Sequence, residues 1–550
     1  MTKNKDQDLP APFYAIWRGL GLWNLYFIAK LFLYWAGLLN FHAFYNLIFA
    51  CALLLPLPPL WLHRLRHLLA IPVGAALFYY DTWFPPISRL LAQPDVLNFS
   101  TVYLLELAQR FINWDLVGAG FVLLVVYLFL SQWLRLTMFS MVALVGTSLA
   151  GVISLPASLW GTQPAVMAQG QAVAPAAGIA QPPAPVAGKP LNEQLNQALQ
   201  DFYAAEKKRV TQFPVELGDA AAFDVLLLNI CSLSWSDLEA SNLRSHPIFQ
   251  KMDVIFNNFN SATSYSGPAV LRLMRASCGQ ESHHDLYEPV DDQCYLFENL
   301  KRLGFSPQTA LNHNGQFQGF IEELTAGGRF PAPFIPKDSK RRWSAFDDSP
   351  IWDDRETLQQ WWRNRLASGQ KNAALLYNTI TLHDGNREIT STGGSRSSPF
   401  QNRAQVLLDE LDAFMDELES SGRRVLVILV PEHGAALVGD KMQISGMREI
   451  PAPSITNVPV GVRLIGGKKN QQPRQTLRID EPSSHLAISE LLSRLLAAHA
   501  FEQDTVDWAS VTSGLPQTLA VSENEGSVLM PYQGVPYVRM GGRDWIPYPQ

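Results

Sequence analysis

The sequence predicts an α-helical transmembrane N-terminal region joined to an α/β domain with a mostly parallel central sheet. Three observations carry that expectation. Residues 43–62, 116–134 and 136–157 contain no Asp, Glu, Lys or Arg, and each has the length needed to cross hydrocarbon. Residues 161–190 are mostly Ala, Pro, Gly and Gln with one charge, a composition that cannot bury a core and suits a tether. Beyond it, short apolar runs alternate with helical patterns, the repeating unit of an α/β sheet. The expected organisation is a membrane region over 1–160 with about five transmembrane helices, a disordered linker over 161–190, and a catalytic domain over 191–550.

The membrane region has two further candidate spans, 19–39 interrupted by Lys30, and the shorter 67–80. A cleaved signal peptide is not expected, because the first apolar run leads into more spans. Basic residues cluster at Lys3, Lys5 and Arg18, at His63, Arg64, Arg66 and His67, and at Arg135. Five spans put all three clusters on the cytoplasmic side, as the positive-inside rule prefers, and the large domain outside. Four spans, with 67–80 re-entrant, would reverse the large domain's side.

In the large domain, Phe223–Ile230 and Ala373–Tyr377 read as buried strands. Leu407, Leu411, Phe414 and Leu418 fall at helical spacing, and Val425–Val430 follows as another buried strand. From Ser527 the apolar residues alternate, with turn signals at Gln533-Gly534 and Gly541-Gly542, which predicts a small antiparallel ribbon. At 550 residues and a net charge of −6, the chain carries no basic stripe of the kind nucleic-acid binders use. Of four cysteines, Cys51 sits in a candidate span. Cys278 and Cys294 form a disulfide if the domain lies in an oxidising compartment, and are otherwise two thiols. Cys231 is left over.

Polar residues gather just past the apolar strands. Cys231 ends the first, and Glu432-His433 ends the later one. Ligands bind at the carboxyl ends of strands in open α/β sheets. If these strands are parallel neighbours, thiolate, carboxylate and imidazole converge as a zinc set with one open position. Taken singly, Cys231 reads as a small buried residue and Glu432-His433 as a strand-end loop. Ser266 precedes Gly267-Pro268 and an apolar helical run. That location is a helix start, where a phosphate is favoured and an ordinary N-cap is common.

Several stretches together resemble the bacterial cellulose synthesis protein G family: Asn229–Asp237, Phe259–Pro268, His313–Gln316, Leu382–Gly385, Val430–Gly434, Gly514–Thr518 and Val521–Asn524. The likeness runs the length of the chain apart from the linker. It implies an alkaline phosphatase/sulfatase fold and a phosphoethanolamine transferase of the bacterial inner membrane with its catalytic domain in the periplasm. The implied donor is phosphatidylethanolamine, and the implied acceptor is the glucosyl 6-hydroxyl of cellulose. Subunits of the cellulose synthase complex are the expected partners. Residue by residue, the resemblance makes Ser266 the nucleophile and gives one zinc ion to Cys231, Glu432 and His433, with Ser266 as fourth ligand. Tyr265, His383 and Arg448 are implied to assist. Arg448 could neutralise phosphate oxygens, and His383 could move protons at the leaving and attacking oxygens. His313 is a candidate pocket residue without an assigned role. Transferases acting on lipid A typically carry an acidic ligand where Cys231 stands and a threonine where Ser266 stands, which argues for one metal rather than two. The alternatives are a phosphoglycerol transferase or other phosphohydrolase of the same fold, and a mainly structural subunit of the secretion complex. A sulfatase is disfavoured, because Ser266-Gly-Pro-Ala-Val lacks the Arg of that motif.

Overall fold

Pro56 cuts the apolar run 43–62. A proline cannot donate to a helix and biases the residue before it to extended backbone, and Leu55 is extended at ψ 125°. In the computed structural model the helix that opens this run therefore ends at Leu54, and a second helix starts at Leu60. The structure describes residues 19–57, 60–82, 105, 114–152, 190–217, 223–336, 338–466, 475–503 and 505–549. The basic segment before residue 19, most of the connection 82–113 and the linker over 161–189 lie outside the described residues. The chain divides into two compact units, the first holding the described residues of 19–82 and 114–152, the second Leu105 and those of 190–549.

The first unit is helical: α1 (Trp23–Trp35), α2 (Ala43–Leu54), α3 (Leu60–Asp81), α4 (Trp114–Leu130) and α5 (Leu136–Val152). Among the described residues no helix is long and apolar enough to cross a membrane. The elements differ from the expected spans in a definite way. The run 19–39 yields a helix of 13 residues. The candidate 67–80 is the body of the 22-residue α3, so His63, Arg64, Arg66 and His67 stand on a helix instead of in a loop. Lys30 is tolerated in α1 because its ammonium lies 2.6 Å from Asp81 Oδ2 and 2.7 Å from Asn46 Oδ1, fully buried, a fully partnered buried charge.

The second unit opens with α6 (Leu191–Glu206). Its strands in order are β1 (Phe223–Ile230), β2 (Val254–Phe256), β3 (Phe305–Leu311), β4 (Arg341–Ser344), β5 (Pro350–Trp352), β6 (Asn372–Thr379), β7 (Arg387–Ile389), β8 (Ser395–Ser397), β9 (Arg424–Pro431), β10 (Val460–Ile465) and β11 (Leu477–Ile479). Seven form the central sheet in the order β11-β2-β10-β9-β1-β6-β3. Strands β9, β1, β6 and β3 run parallel, as do β11 and β2. The sheet is mixed because β10 is antiparallel to both of its neighbours.

Every residue of β1 and β6 is buried, the polar Asp224, Asn229, Asn372 and Asn378 included, because both faces of the sheet are covered. Val225 and Leu227 face one core, which includes Val270 and Leu273 of α7 (Ser266–Met274) and Ile488 and Leu491 of a helix over 485–497. Leu226, Leu228 and Ile230 face the other core, lined by Leu358 and Trp362 of α8 (Asp354–Ala367) and by Leu407, Leu411, Phe414 and Leu418 of α9 (Phe400–Ser420). The helical spacing read in the sequence is the face α9 buries.

Four short strands close the chain: β12 (Ser522–Asn524), β13 (Ser527–Tyr532), β14 (Val535–Met540) and β15 (Ile546–Pro547), all antiparallel. Gln533 and Gly534 turn β13 into β14 at φ 52° and 79°, the left-handed pair a tight hairpin needs. This sheet packs Val528, Met530 and Trp545 on Leu195 and Leu199 of α6. Cys278 and Cys294 are disulfide-bonded.

Candidate active site and metal centre

Register brings the first pieces together. In the parallel β1–β9 pair, Ile230 stands opposite Pro431, so Cys231 and Glu432 leave the sheet side by side. The Glu432 backbone N–H donates to Ile230 O at 2.9 Å. His433 follows, and one ligand atom from each of Cys231, Glu432 and His433 lies within 4.8 Å of the others. Ser266 Oγ completes the group, 3.4 Å from Cys231 Sγ and 3.4 Å from His433 Nε2. Cys231 is a free, buried thiol.

The donor set fits a zinc ion. Glu432 Oε1 accepts from Asn378 Nδ2 at 2.6 Å, whereas buried Oε2 has no hydrogen-bond partner. An orphaned carboxylate oxygen in a dry site calls for a cation. His433 Nδ1 lies 2.9 Å from Gly434 O and 3.2 Å from an Arg448 nitrogen. The carbonyl is closer and can only accept, so the proton belongs on Nδ1 and the Nε2 lone pair faces the cluster. Burial and the Arg448 charge hold this imidazole well below its ordinary pKa. Without a cation, burial and the Glu432 charge push the Cys231 thiol up to about 12, and burial pushes Glu432 up to about 7. A cation bound here would displace those protons.

Ser266 is the first helical residue of α7, and the N-cap is Tyr265, in extended conformation. Its hydroxyl is thus directed at Cys231 and His433 rather than spent on capping. The loop before it is held by Asn524. Asn524 Oδ1 accepts from Thr263 Oγ1 at 2.9 Å and from the Ser264 N–H at 3.1 Å. Its Nδ2 donates to Ser264 Oγ at 2.6 Å and approaches Arg448 O and Glu449 O at 3.1 and 3.0 Å. Ser232, Ala262 and Ala436 adopt positive φ; one lies in each of the three loops that meet here, and such strain collects at functional sites.

The assisting residues take different positions. Arg448 Nη1 reaches Ser232 Oγ at 3.5 Å as well as His433. His383 is held down to about 4 by burial and the Arg448 charge, which puts it within the field of the same guanidinium. The Tyr265 hydroxyl turns to Glu449 Oε2 at 3.2 Å. His313 contributes indirectly: its Nε2 lies 2.9 Å from Asn378 Oδ1 and its Nδ1 accepts from the Gly315 N–H. That tautomer orients Asn378, which orients Glu432. Asn378 and Asn524 escaped the sequence reading. Asn378 had a usable signal, a polar residue near the carboxyl end of β6, whereas Asn524 had none beyond its membership of a recognised motif. Glu323 was also missed. Burial and the Glu432 charge push its carboxyl up to about 7.

Residues 181–545 match the family described as cellulose biosynthesis protein BcsG C-terminal domain, and residues 23–149 match the BcsG N-terminal domain. The chain is 48% identical to the cellulose biosynthesis protein BcsG of Salmonella typhimurium across 99% of each chain. It is likewise 48% identical to that of Escherichia coli across 98% of each. The soluble domain of lipooligosaccharide phosphoethanolamine transferase A from Neisseria meningitidis is a distant structural neighbour, with a TM-score of 0.37 at 15% identity, covering 53% of this chain and 91% of that one. Both parts of the sequence thus carry one family's domains in order, and the chain belongs to the cellulose biosynthesis protein BcsG family.

Proposed function

We propose that this chain is a zinc-dependent phosphoethanolamine transferase of the bacterial inner membrane, multi-pass, with its catalytic domain in the periplasm. It moves phosphoethanolamine from phosphatidylethanolamine to the glucosyl 6-hydroxyl of cellulose, working beside subunits of the cellulose synthase complex. The observation that supports the reading best is the convergence of Cys231, Glu432 and His433 on Ser266 Oγ at the start of a helix. The donor and acceptor rest on family membership and the resemblance of the motifs.

Cys231, Glu432 and His433 would hold one zinc ion, whose Lewis acidity would lower the pKa of the Ser266 hydroxyl. Ser266 Oγ bonds to the donor phosphorus as the diacylglycerol oxygen leaves, giving phosphoethanolamine esterified to the serine. The sugar 6-hydroxyl then displaces the serine oxygen. His383 donates a proton to the diacylglycerol oxygen and later takes one from the sugar hydroxyl. Burial and the Arg448 charge depress His383; a bound phosphate offsets the second of these, which raises its pKa toward that task. Arg448 balances charge on the phosphate oxygens, and Tyr265 orients one of them.

Intact-mass spectrometry of the full-length, zinc-loaded enzyme in phosphatidylethanolamine vesicles tests this. The expected result is an ethanolamine-phosphate adduct on Ser266 that vanishes in Ser266→Ala and is discharged by a soluble glucan. Unchanged transfer by Ser266→Ala would falsify the reading.

A further inference from the structure

The start of α7, where the transferred phosphate would sit, carries an ionisable carboxyl group that the reaction above does not use. The Glu323 carboxylate lies against the backbone of Gly267, the residue after Ser266. A Cβ built there would come 2.6 Å from Oε1 and closer still to Oε2. Glu323 opens a π-helical turn, Glu323–Gly327, a widened turn frequent at functional sites. Gly327 continues the same close packing against Leu271 of α7. Among the described residues no hydrogen bond or ion pair reaches this carboxylate.

A lone carboxylate beside a phosphate site is a conflict, because two anions at short range in a half-buried place repel strongly. The conflict disappears if the phosphate arrives with its own cation on a short arm. Phosphoethanolamine is such a group, with a primary ammonium two carbons from the ester oxygen. Phosphoglycerol and sulfate are not. Gly267 keeps the space open, since any side chain there would displace the carboxylate.

We propose that Glu323 is a specificity-determining residue that pairs with the primary ammonium of the donor head group. This rests on the phosphoethanolamine-transfer reading above and extends it to head-group choice.

The test measures adduct formation on Ser266 by the full-length, zinc-loaded enzyme. The donors are phosphatidylethanolamine vesicles and bis(p-nitrophenyl) phosphate, an anionic diester without an ammonium. Loss of one charge-assisted pair lowers kcat/KM about 10- to 100-fold. Glu323→Gln is expected to show that loss with phosphatidylethanolamine, mostly in KM, and a gain with the anionic diester. Glu323→Asp restores part of the loss, and Gly267→Ala reproduces it by pushing the carboxylate away. A Glu323→Gln enzyme with wild-type use of phosphatidylethanolamine, or with equal losses for both donors, overturns the proposal while leaving the transferase reading intact. A wild-type enzyme that takes no adduct from phosphatidylethanolamine overturns both.

Discussion

Asn524 is where the positioning of the nucleophile is most open to measurement. It is buried, 1% exposed, and joins the Thr263–Ser264 segment to the Arg448–Glu449 segment. Asn524→Ala leaves the Thr263 hydroxyl and the Ser264 N–H without their acceptor. The Arg448 and Glu449 carbonyls keep partners in Ser264 Oγ and Ser527 Oγ. Two orphaned buried donors at about 1–3 kcal/mol each predict a stability loss of roughly 2–6 kcal/mol. The freed loop ends at Ser266, and a displacement of ~1 Å at a reacting atom costs about 100-fold in rate. The assay pairs a urea unfolding midpoint with the rate of adduct formation on Ser266, both on the zinc-loaded full chain. Asn524→Asp is the companion variant: it keeps the acceptor for Thr263 and Ser264 but sets a carboxylate against two carbonyls. It should recover part of the stability and less of the rate. Asn524→Ala with lowered stability and an unchanged rate would refute the positioning argument.

Three further outcomes are expected. Chelation abolishes adduct formation and zinc restores it, while the unfolding temperature falls on chelation, since a ligand at ~1,000 times its Kd contributes about 4 kcal/mol; a chelated enzyme with full activity and unchanged stability refutes the metal assignment. Replacing Cys278 and Cys294 with serine lowers stability by about 3 kcal/mol, the scale for closing a loop of this size, given their sequence separation of 16; an unchanged denaturation midpoint counts against it. Burial and the charges of Asp354 and Asp353 push the Glu410 carboxyl up to about 8. A carboxyl raised in the folded state holds its proton more tightly there, so its stabilisation is complete below about pH 4 and is lost as pH rises through about 8. Glu410→Gln should flatten that decline, so that its stability relative to wild type rises with pH; parallel stability–pH curves for the two proteins sink the argument.

Much of the fold was legible because its signals are local. The runs Val225–Leu228 and Val425–Val430 are too uniformly apolar for a half-exposed strand, and Leu407 to Leu418 mark one face of a helix. The Pro56 break in the run 43–62 was equally local, and residue counting alone passed over it. The lone antiparallel β10 was not legible, since Val460–Ile465 has the same apolar character as its parallel neighbours. For the site, the strand-end position of Cys231, Glu432 and His433 was visible, but their meeting was conditional on β1 and β9 being parallel neighbours.

By itself the sequence determined the buried strands β1 and β9, the core face of α9, the strand-end residues that carry chemistry, and the family. Periodicity, proline and motif are properties of neighbouring residues, so they survive without the fold. The tertiary structure decided what depends on residues far apart in the chain. It set Ile230 opposite Pro431, gave Asn378 to Glu432, tied the Ser264 loop to Asn524, and laid Glu323 against Gly267. Sheet order and register follow from the packing of both faces at once, and no local pattern encodes which distant polar group fills a given place.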